Sequence, residues 1–474
     1  MSHALQSVAQ RIAELAVRHA EQGVPGFVAG VYQGGEQVVV AHGTANLATG
    51  APMTADTGFL FGSITKVLTA TLIMQQVERG TLGLDDLVVD HLPEFRLATD
   101  GAAERIRVRH LLTHTNGIDA DLYCPDANGP GALSVLVDGM AKHCEALFEP
   151  GTQVSYSNGG MNLAARLLEV VTGTPYLELV QRDIFAPAGM TGAGTSAEQA
   201  ILRSTAVGHF LDPETTAPRV TDMFKLPDSW AGAGSSATGT VGDLLAFGRT
   251  HLAEGVAPSG ARLLAAESAA AMHAVQFDPG AAHIPLLGFG WLLMPFGDTT
   301  VWTMSGASPG GVSVLVVVPE HDLVLAAYGN SPGSLMLHDE VLLGILRDHL
   351  GVDVPDLVSG SYPIADLTPY VGTYRSNQLC VDVAIVDGQL EERFGYEPVN
   401  AEQERIFTNF AGGSFQAPPR RYVPVGPDLF APAGMPASLF SGYCRQLLVS
   451  YLEVGPDGAR FRSAGGRMTR RAQQ

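Results

Sequence analysis

Between Ile64 and Arg79 the chain carries apolar side chains at Ile64, Val67, Leu68, Ala70, Leu72, Ile73, Met74 and Val77. They cover most of a helix's circumference, so such a helix has no face to give to water and must be buried. Gly80 supplies a stop just past its end. Any fold this chain adopts has to wrap around that helix. Ser63 and Lys66 stand at its beginning, three residues apart and therefore on one face. A serine at a helix N-terminus lies where free backbone N–H groups and the dipole favour negative charge. It becomes a nucleophile when a base stands beside it, and a lysine stripped of its charge by burial can be that base. The plain alternative makes Ser63 an N-cap and lets Lys66 snorkel to solvent.

With 474 residues there is room for two or three domains. The net charge of −20 argues against nucleic acid and against an anionic membrane as partners. Five arginines near the end, Arg460, Arg462, Arg467, Arg470 and Arg471, read as a solvated basic tail. At the start, Leu5, Val8, Ile12 and Leu15 alternate at helical spacing with Arg11, Glu14, Arg18 and Glu21. That is an amphipathic helix rather than a signal peptide, and no apolar run is long enough for a membrane span. Cys124, Cys144, Cys380 and Cys444 show no C-x-x-C spacing, so neither a zinc site nor a disulfide framework is expected. Together these features predict a cytoplasmic protein with reduced thiols.

A hairpin follows the first helix: Phe27–Tyr32, a Gly34-Gly35 turn, and Gln37–Ala41. After the Ser63 helix the chain reads as helices and long loops to about residue 285, with helices over Ala132–Met140, Met161–Val171, Pro175–Ile184 and Val241–Leu252. Strands return at Phe289–Met294, Thr299–Met304, Val312–Val318 and Leu323–Tyr328, then a helix over Leu335–Leu350. Strands from both ends can complete one antiparallel sheet with terminal helices on it, and the helical insertion forms a second lobe. A ligand cleft is expected between the lobes. The expected division is a catalytic domain over 1–351, a linker over 352–368, and a small antiparallel β domain over 369–474, a barrel or barrel-like meander.

Two further stretches carry chemistry. Tyr156-Ser157-Asn158 precedes the helix near Met161, and a tyrosine in a positive field beside a lysine loses its proton more easily. Met304-Ser305-Gly306-Ala307 ends a strand whose amides can serve as oxyanion donors. Their plain readings are a loop anchor with a turn Asn, and a strand end with a Gly turn. Taken in order, Ser63-x-x-Lys66, Tyr156-x-Asn158 and the Met304–Gly306 strand resemble the serine β-lactamase and penicillin-binding-protein superfamily, in its class C-like branch. His110 to Gly117, Phe148 to Gly151 and Ala233 to Ser236 resemble it too, and the likeness covers roughly 5–350.

That resemblance implies an α+β fold: an antiparallel sheet flanked by helices with a large helical insertion. It implies Ser63 as acyl-forming nucleophile, with Lys66 and Tyr156 as the base and acid that move its proton. Asn158 would hold Lys66 and the substrate amide, and the N–H groups of Ser63 and Ala307 would form the oxyanion hole. Met304, Ser305 and Gly306 would line the substrate. Met304 departs from the pattern, which has a cation there to bind a leaving-group carboxylate; its loss suits an ester or thioester. No cofactor or metal is implied. Length, the position of Ser63 and the added β domain resemble the penicillin-binding-protein-type thioesterases, which carry a lipocalin-like C-terminal domain. The likeness implies head-to-tail cyclisation of a nonribosomal peptidyl thioester delivered on a peptidyl carrier protein. Alternatives are a cytoplasmic esterase or acyltransferase, a D-aminopeptidase or D,D-carboxypeptidase, and a binding protein that kept the fold.

Three other patterns compete. Gly306-Ala307-Ser308-Pro309-Gly310 fits G-x-S-x-G, but a strand rather than a helix is expected after it. Gly232–Ala237 fits a dinucleotide fingerprint by letters, with no strand before it. His110 and His114 lie four apart without the glutamate of a zinc motif, so core or capping histidines are expected.

Overall fold

The structure, a computed structural model, describes residues 2–212, 215, 217–410 and 418–472. It opens with helix α1 (His3–Glu21), whose stripe of Leu5, Val8, Ile12 and Leu15 is buried. Strands β1 (Gly26–Gln33) and β2 (Glu36–Asn46) form the hairpin. Helix α2 (Thr65–Glu78) follows, buried from Thr65 through Gln76 as its all-round apolar pattern requires. The helical lobe includes α3 (Asn158–Thr172) and α4 (Val241–Leu252). Strands β3 (Leu292–Phe296), β4 (Thr299–Ser308), β5 (Gly311–Val318) and β6 (Leu323–Gly329) then lead into α5 (Ser334–Gly344).

These strands form one antiparallel sheet in the order β2-β1-β6-β5-β4-β3, with a two-residue strand at each edge. β6 pairs with β1, Val31 opposite Leu325, so the two ends of the domain close the sheet as expected. Both faces are buried. Val314, Val316 and Val318 pack with α1 and α5 on one side, while Leu315 and Val317 pack with the α2 side on the other. Alternation along β5 therefore joins three layers, helices–sheet–helices. β4 runs beyond the expected Met304 to Ser308, because Ala307 and Gly306 keep pairing with Val312 and Ser313. Among the described residues no helix is long and apolar enough to cross a membrane.

From Gly372–Ser376 to Arg467–Arg471 eight antiparallel strands close into a barrel, the last strand pairing back onto the first. Its interior is filled by Tyr370, Tyr374, Phe430 and Tyr451 and by the buried pair Arg462–Glu392 at 2.6 Å. A helix at Ala401–Phe410, absent from the sequence expectation, lies between strands. Residues 352–367 have no regular structure, yet Val354 and Val358 are buried and Tyr362 N donates to Pro424 O. The connector is packed against the protein at Val354 and Val358, and the exposed run at 359–363 is held by hydrogen bonds from Ser359 and Tyr362 to Val425 and Pro424.

The C-terminal arginines are not a solvated tail. Arg462 is buried in the barrel and Arg467 pairs with Asp121 of the catalytic domain. Arg470 donates to the carbonyls of Ala146 and Leu147. The Gly465-Gly466 turn makes the stretch a hairpin, which carries these side chains to their partners while Arg467 and Arg470 stay partly exposed. The barrel is further tied down by Asn377 N donating to Asp119 (2.8 Å), Cys444 N donating to Asp339 (3.2 Å) and a Tyr443–Thr303 hydroxyl pair (2.7 Å).

Candidate active site

Ser63 sits in the short 3₁₀ turn Gly62–Ile64 that leads into α2, and Lys66 lies one turn on. Lys66 Nζ is 2.9 Å from Ser63 Oγ and donates to Ala233 O at 2.7 Å. Lys66 has no exposed surface. Burial, and then the positive charge of Arg467, hold its pKa well below the ordinary lysine value, against a smaller opposing pull from Asp121. Lys66 therefore does not snorkel: its amine is poised to be neutral beside the serine.

Tyr156 stands directly before Ser157, which caps α3 by accepting from Gly160 N at 3.0 Å. Burial pushes the pKa of the Tyr156 hydroxyl up, and the Arg467 charge and the nearby Ser63 hydroxyl only partly pull it back. The expected easier loss of its proton is thus corrected: desolvation of the phenolate outweighs the positive field, and the group is a proton donor. Lys66 Nζ and the Arg467 guanidinium both lie near the ring, 4.8 and 4.7 Å from its centroid.

Asn158 also departs from expectation. Its Nδ2 donates to Asp121 Oδ1 at 2.6 Å, while Lys66 takes the Ala233 carbonyl. Asp121 accepts from Arg467 Nε at 2.5 Å as well, and this acid draws the amide away from the lysine. The backbone of the same hairpin fixes the tyrosine loop: Tyr156 N donates to Gly466 O (2.8 Å) and Met468 N to Ser155 Oγ (3.1 Å). The barrel therefore builds one wall of the site.

The two expected oxyanion donors lie close together because glycines let the segments meet. Gly62 has φ +54°, and a Cβ on it would stand 2.9 Å from Ala307 N. A Cβ on Gly306 would stand 2.1 Å from Phe61 O and 3.0 Å from Ser63 N. Ser313 Oγ donates to Phe61 O at 2.8 Å and ties the sheet to the start of α2. Two N–H groups beside one hydroxyl can hold the oxyanion of a tetrahedral intermediate.

Two chambers meet at Ser63 and Ala307, and Arg467 borders both. The smaller, about 200 Å³, is walled by Leu287, Leu292, Met294, Met304 and Leu448. Ser305 also faces it, and Met304 is 1% exposed. The larger, about 420 Å³, runs past Asn158, Asp121 and Trp230. It shares Asp119, Leu147 and Ser376 with an open cleft of about 1360 Å³ between catalytic domain and barrel.

Sequence reasoning missed Arg467, Asp121 and Ala233. His114 was expected in the core or as a cap. Its ring lies tilted against that of Tyr156, centroids 4.4 Å apart, and its Nδ1 accepts from Ser157 N; burial keeps it neutral, with a pKa of about 3. His110 does cap, its Nδ1 accepting from Arg107 N. Ser308 lies at the β4–β5 hairpin, paired with Gly311, so the elbow pattern has no following helix. The Gly232–Ala237 stretch lies over the serine instead of a nucleotide: a Cβ on Gly234 would be 2.9 Å from Ser63 N.

Comparison with known proteins agrees with this geometry. The Beta-lactamase family profile matches residues 8–346. Penicillin-binding protein 4 of Amycolatopsis lactamdurans is 34% identical over 368 residues, covering 75% of this chain and 94% of that one. A crystal structure of SurE with D-Leu superposes with a TM-score of 0.73 at 27% identity, covering 99% of both chains. The D-amino acid amidase of Ochrobactrum anthropi SV3, solved with D-phenylalanine, gives a TM-score of 0.61 at 25% identity over 72% of this chain and 99% of that one.

Proposed function

The chain belongs to the beta-lactamase family, and from that premise we propose that it is a thioesterase that releases a peptidyl thioester as a head-to-tail cyclic amide. At the coarser level it is a serine hydrolase- or acyltransferase-type enzyme of the penicillin-binding-protein kind. The finer reading rests on one observation: a complete Ser63–Lys66–Tyr156 set walled by a barrel, in a chain that superposes on SurE along its whole length. D-Leu in SurE supports a D-residue next to the reacting carbonyl.

Ser63 Oγ attacks the thioester carbon and its proton passes to neutral Lys66. The amides of Ser63 and Ala307 hold the oxyanion. As the carbon–sulfur bond breaks, Tyr156 gives its proton to the departing sulfur and regains one from Lys66. The peptide, now an ester on Ser63, carries its own N-terminal amine. Tethering gives that amine an effective concentration that lets it compete with water. Its attack forms the amide, breaks the ester and returns a proton to Ser63. Met304 offers no cation to a leaving-group carboxylate, and a thioester carries none. The acyl donor on a peptidyl carrier protein, and a cytoplasmic location, belong to the same proposal.

The test is a linear peptidyl thioester of several residues ending in a D-amino acid, followed by mass spectrometry. The cyclic product is lighter than the linear acid by one water. Linear acid alone, with fast turnover of short aryl esters, replaces this reading with that of an esterase.

A further inference from the structure

The carbonyl carbon of a thioester bears two groups, the peptide and the sulfur arm, and two chambers meet at Ser63. The larger chamber continues at Asp119, Leu147 and Ser376 into the cleft of about 1360 Å³, so it has room for a peptide of several residues. The chamber of about 200 Å³ can take only a short chain. Its walls are mainly aliphatic, but its lining includes a charged group from the barrel, Arg445, which is 6% exposed. A guanidinium has five N–H donors. Arg445 uses Nε on Gly442 O at 3.0 Å and Nη2 on Ser441 O. Both acceptors are neutral carbonyls of its own segment. His283, Gln446 and Arg467 also line the chamber, and an apolar pocket with a few well-placed polar groups is the usual form of a site that fixes a ligand's orientation.

Building on the thioesterase reading, we infer that the smaller chamber is the seat of the thiol arm, and that Arg445 recognises an amide carbonyl a few bonds beyond the sulfur. The aliphatic walls hold the methylene carbons next to the sulfur, and the guanidinium donates to the first amide oxygen. This gives the barrel a second task at the site. Arg467 borders both chambers, while Arg445 selects what leaves. It also accounts for the positions of the two cation-related residues: Met304 leaves the β4 wall apolar, and the positive charge comes from the barrel instead. Once the thiol has gone, the same chamber is vacant for the incoming amine, which attacks the ester from the side the sulfur left.

The experiment uses one peptide as two thioesters, of N-acetylcysteamine and of a straight-chain alkanethiol of equal length that lacks the amide. Each kcat/KM is divided by the rate of hydrolysis in buffer, which removes the intrinsic difference between the thiols. In the wild-type protein the amide-bearing arm is expected to be favoured roughly tenfold, the scale of one hydrogen bond to a charged group. Arg445→Gln is expected to bring the two ratios together, by slowing the amide-bearing thioester more than the alkanethiol ester. Equal ratios in the wild-type protein overturn the assignment, and that comparison needs no variant to fold. An Arg445→Gln protein of normal melting temperature that slows both thioesters equally also overturns it. No turnover of either thioester by protein that still reacts at Ser63 with an aryl ester overturns the thioesterase reading itself.

Discussion

In the proposed mechanism Lys66 has to be neutral when Ser63 gives up its proton, and its burial and charged neighbours suit that role. Burial and Arg467 lower its pKa, so the active fraction grows as pH rises through that lowered value. Arg467→Gln removes a positive neighbour and frees Asp121, and both changes make the lysine easier to protonate. The acid limb of the pH–rate profile for acylation is expected to move to higher pH; a limb that stays put or moves lower contradicts the assignment. Lys66→Ala and Tyr156→Phe are each expected to slow burst acylation by about 10²–10⁴-fold. Near-normal bursts in both would mean another group moves the proton. At this scale the sequence was readable where chemistry is local. Ser63 and Lys66 are three residues apart, whereas the partner that Asn158 takes, Asp121, lies 37 positions away and was not readable. Asp121 and Arg467 are separated by 346 positions, and only the docked barrel brings them together. The alternation of Met468 with its neighbours after Gly465-Gly466 signals a hairpin, and net charge alone hid it.

Helices and strands were legible to the extent that one face decides them. α2 announces its burial, and β5 and β6 read as unbroken apolar runs because helices cover both sides of the sheet. The barrel's elements were less legible, since short half-buried strands differ little from loops, and helix Ala401–Phe410 has only a short amphipathic pattern. The joints between barrel and catalytic domain carry a pH dependence of their own. Burial raises Asp119 to about 7 and Asp339 to about 6, from an ordinary value of 3.8. Asp121 and Glu145 push Asp119 further up while Arg470 opposes; Arg445 lowers Asp339 and Glu340 raises it. A carboxyl whose folded pKa is raised contributes fully below its unfolded pKa, and the contribution is lost as pH rises through the folded value. Stability should therefore fall between about pH 4 and 7. Asp119→Asn, which keeps the acceptor for Asn377 N, is expected to flatten that decline in thermal melts. An unchanged slope would show that the joint does not titrate there.

Across the whole molecule, two domains share one site. The open cleft, the tyrosine loop and the smaller chamber each take a wall from the barrel. Limited proteolysis is expected to cut first within the exposed run at 359–363. The two pieces should stay together in native gel filtration, because Arg467–Asp121, Asn377–Asp119 and Tyr443–Thr303 still hold them. Separation of the pieces with full retention of acylation would mean the barrel is an appendage. The broad division into a sheet-centred catalytic domain and a small β domain was readable from strand spacing. Their mutual docking was not, because it depends on contacts between residues hundreds of positions apart. The most direct check on the account is the intact mass of the protein, quenched seconds after mixing with a peptidyl thioester and then mapped by peptides. A mass gain equal to the acyl group is expected, located on the peptide containing Ser63 and absent in Ser63→Ala; an acyl group on Ser308, or one that persists in Ser63→Ala, contradicts Ser63 as the nucleophile.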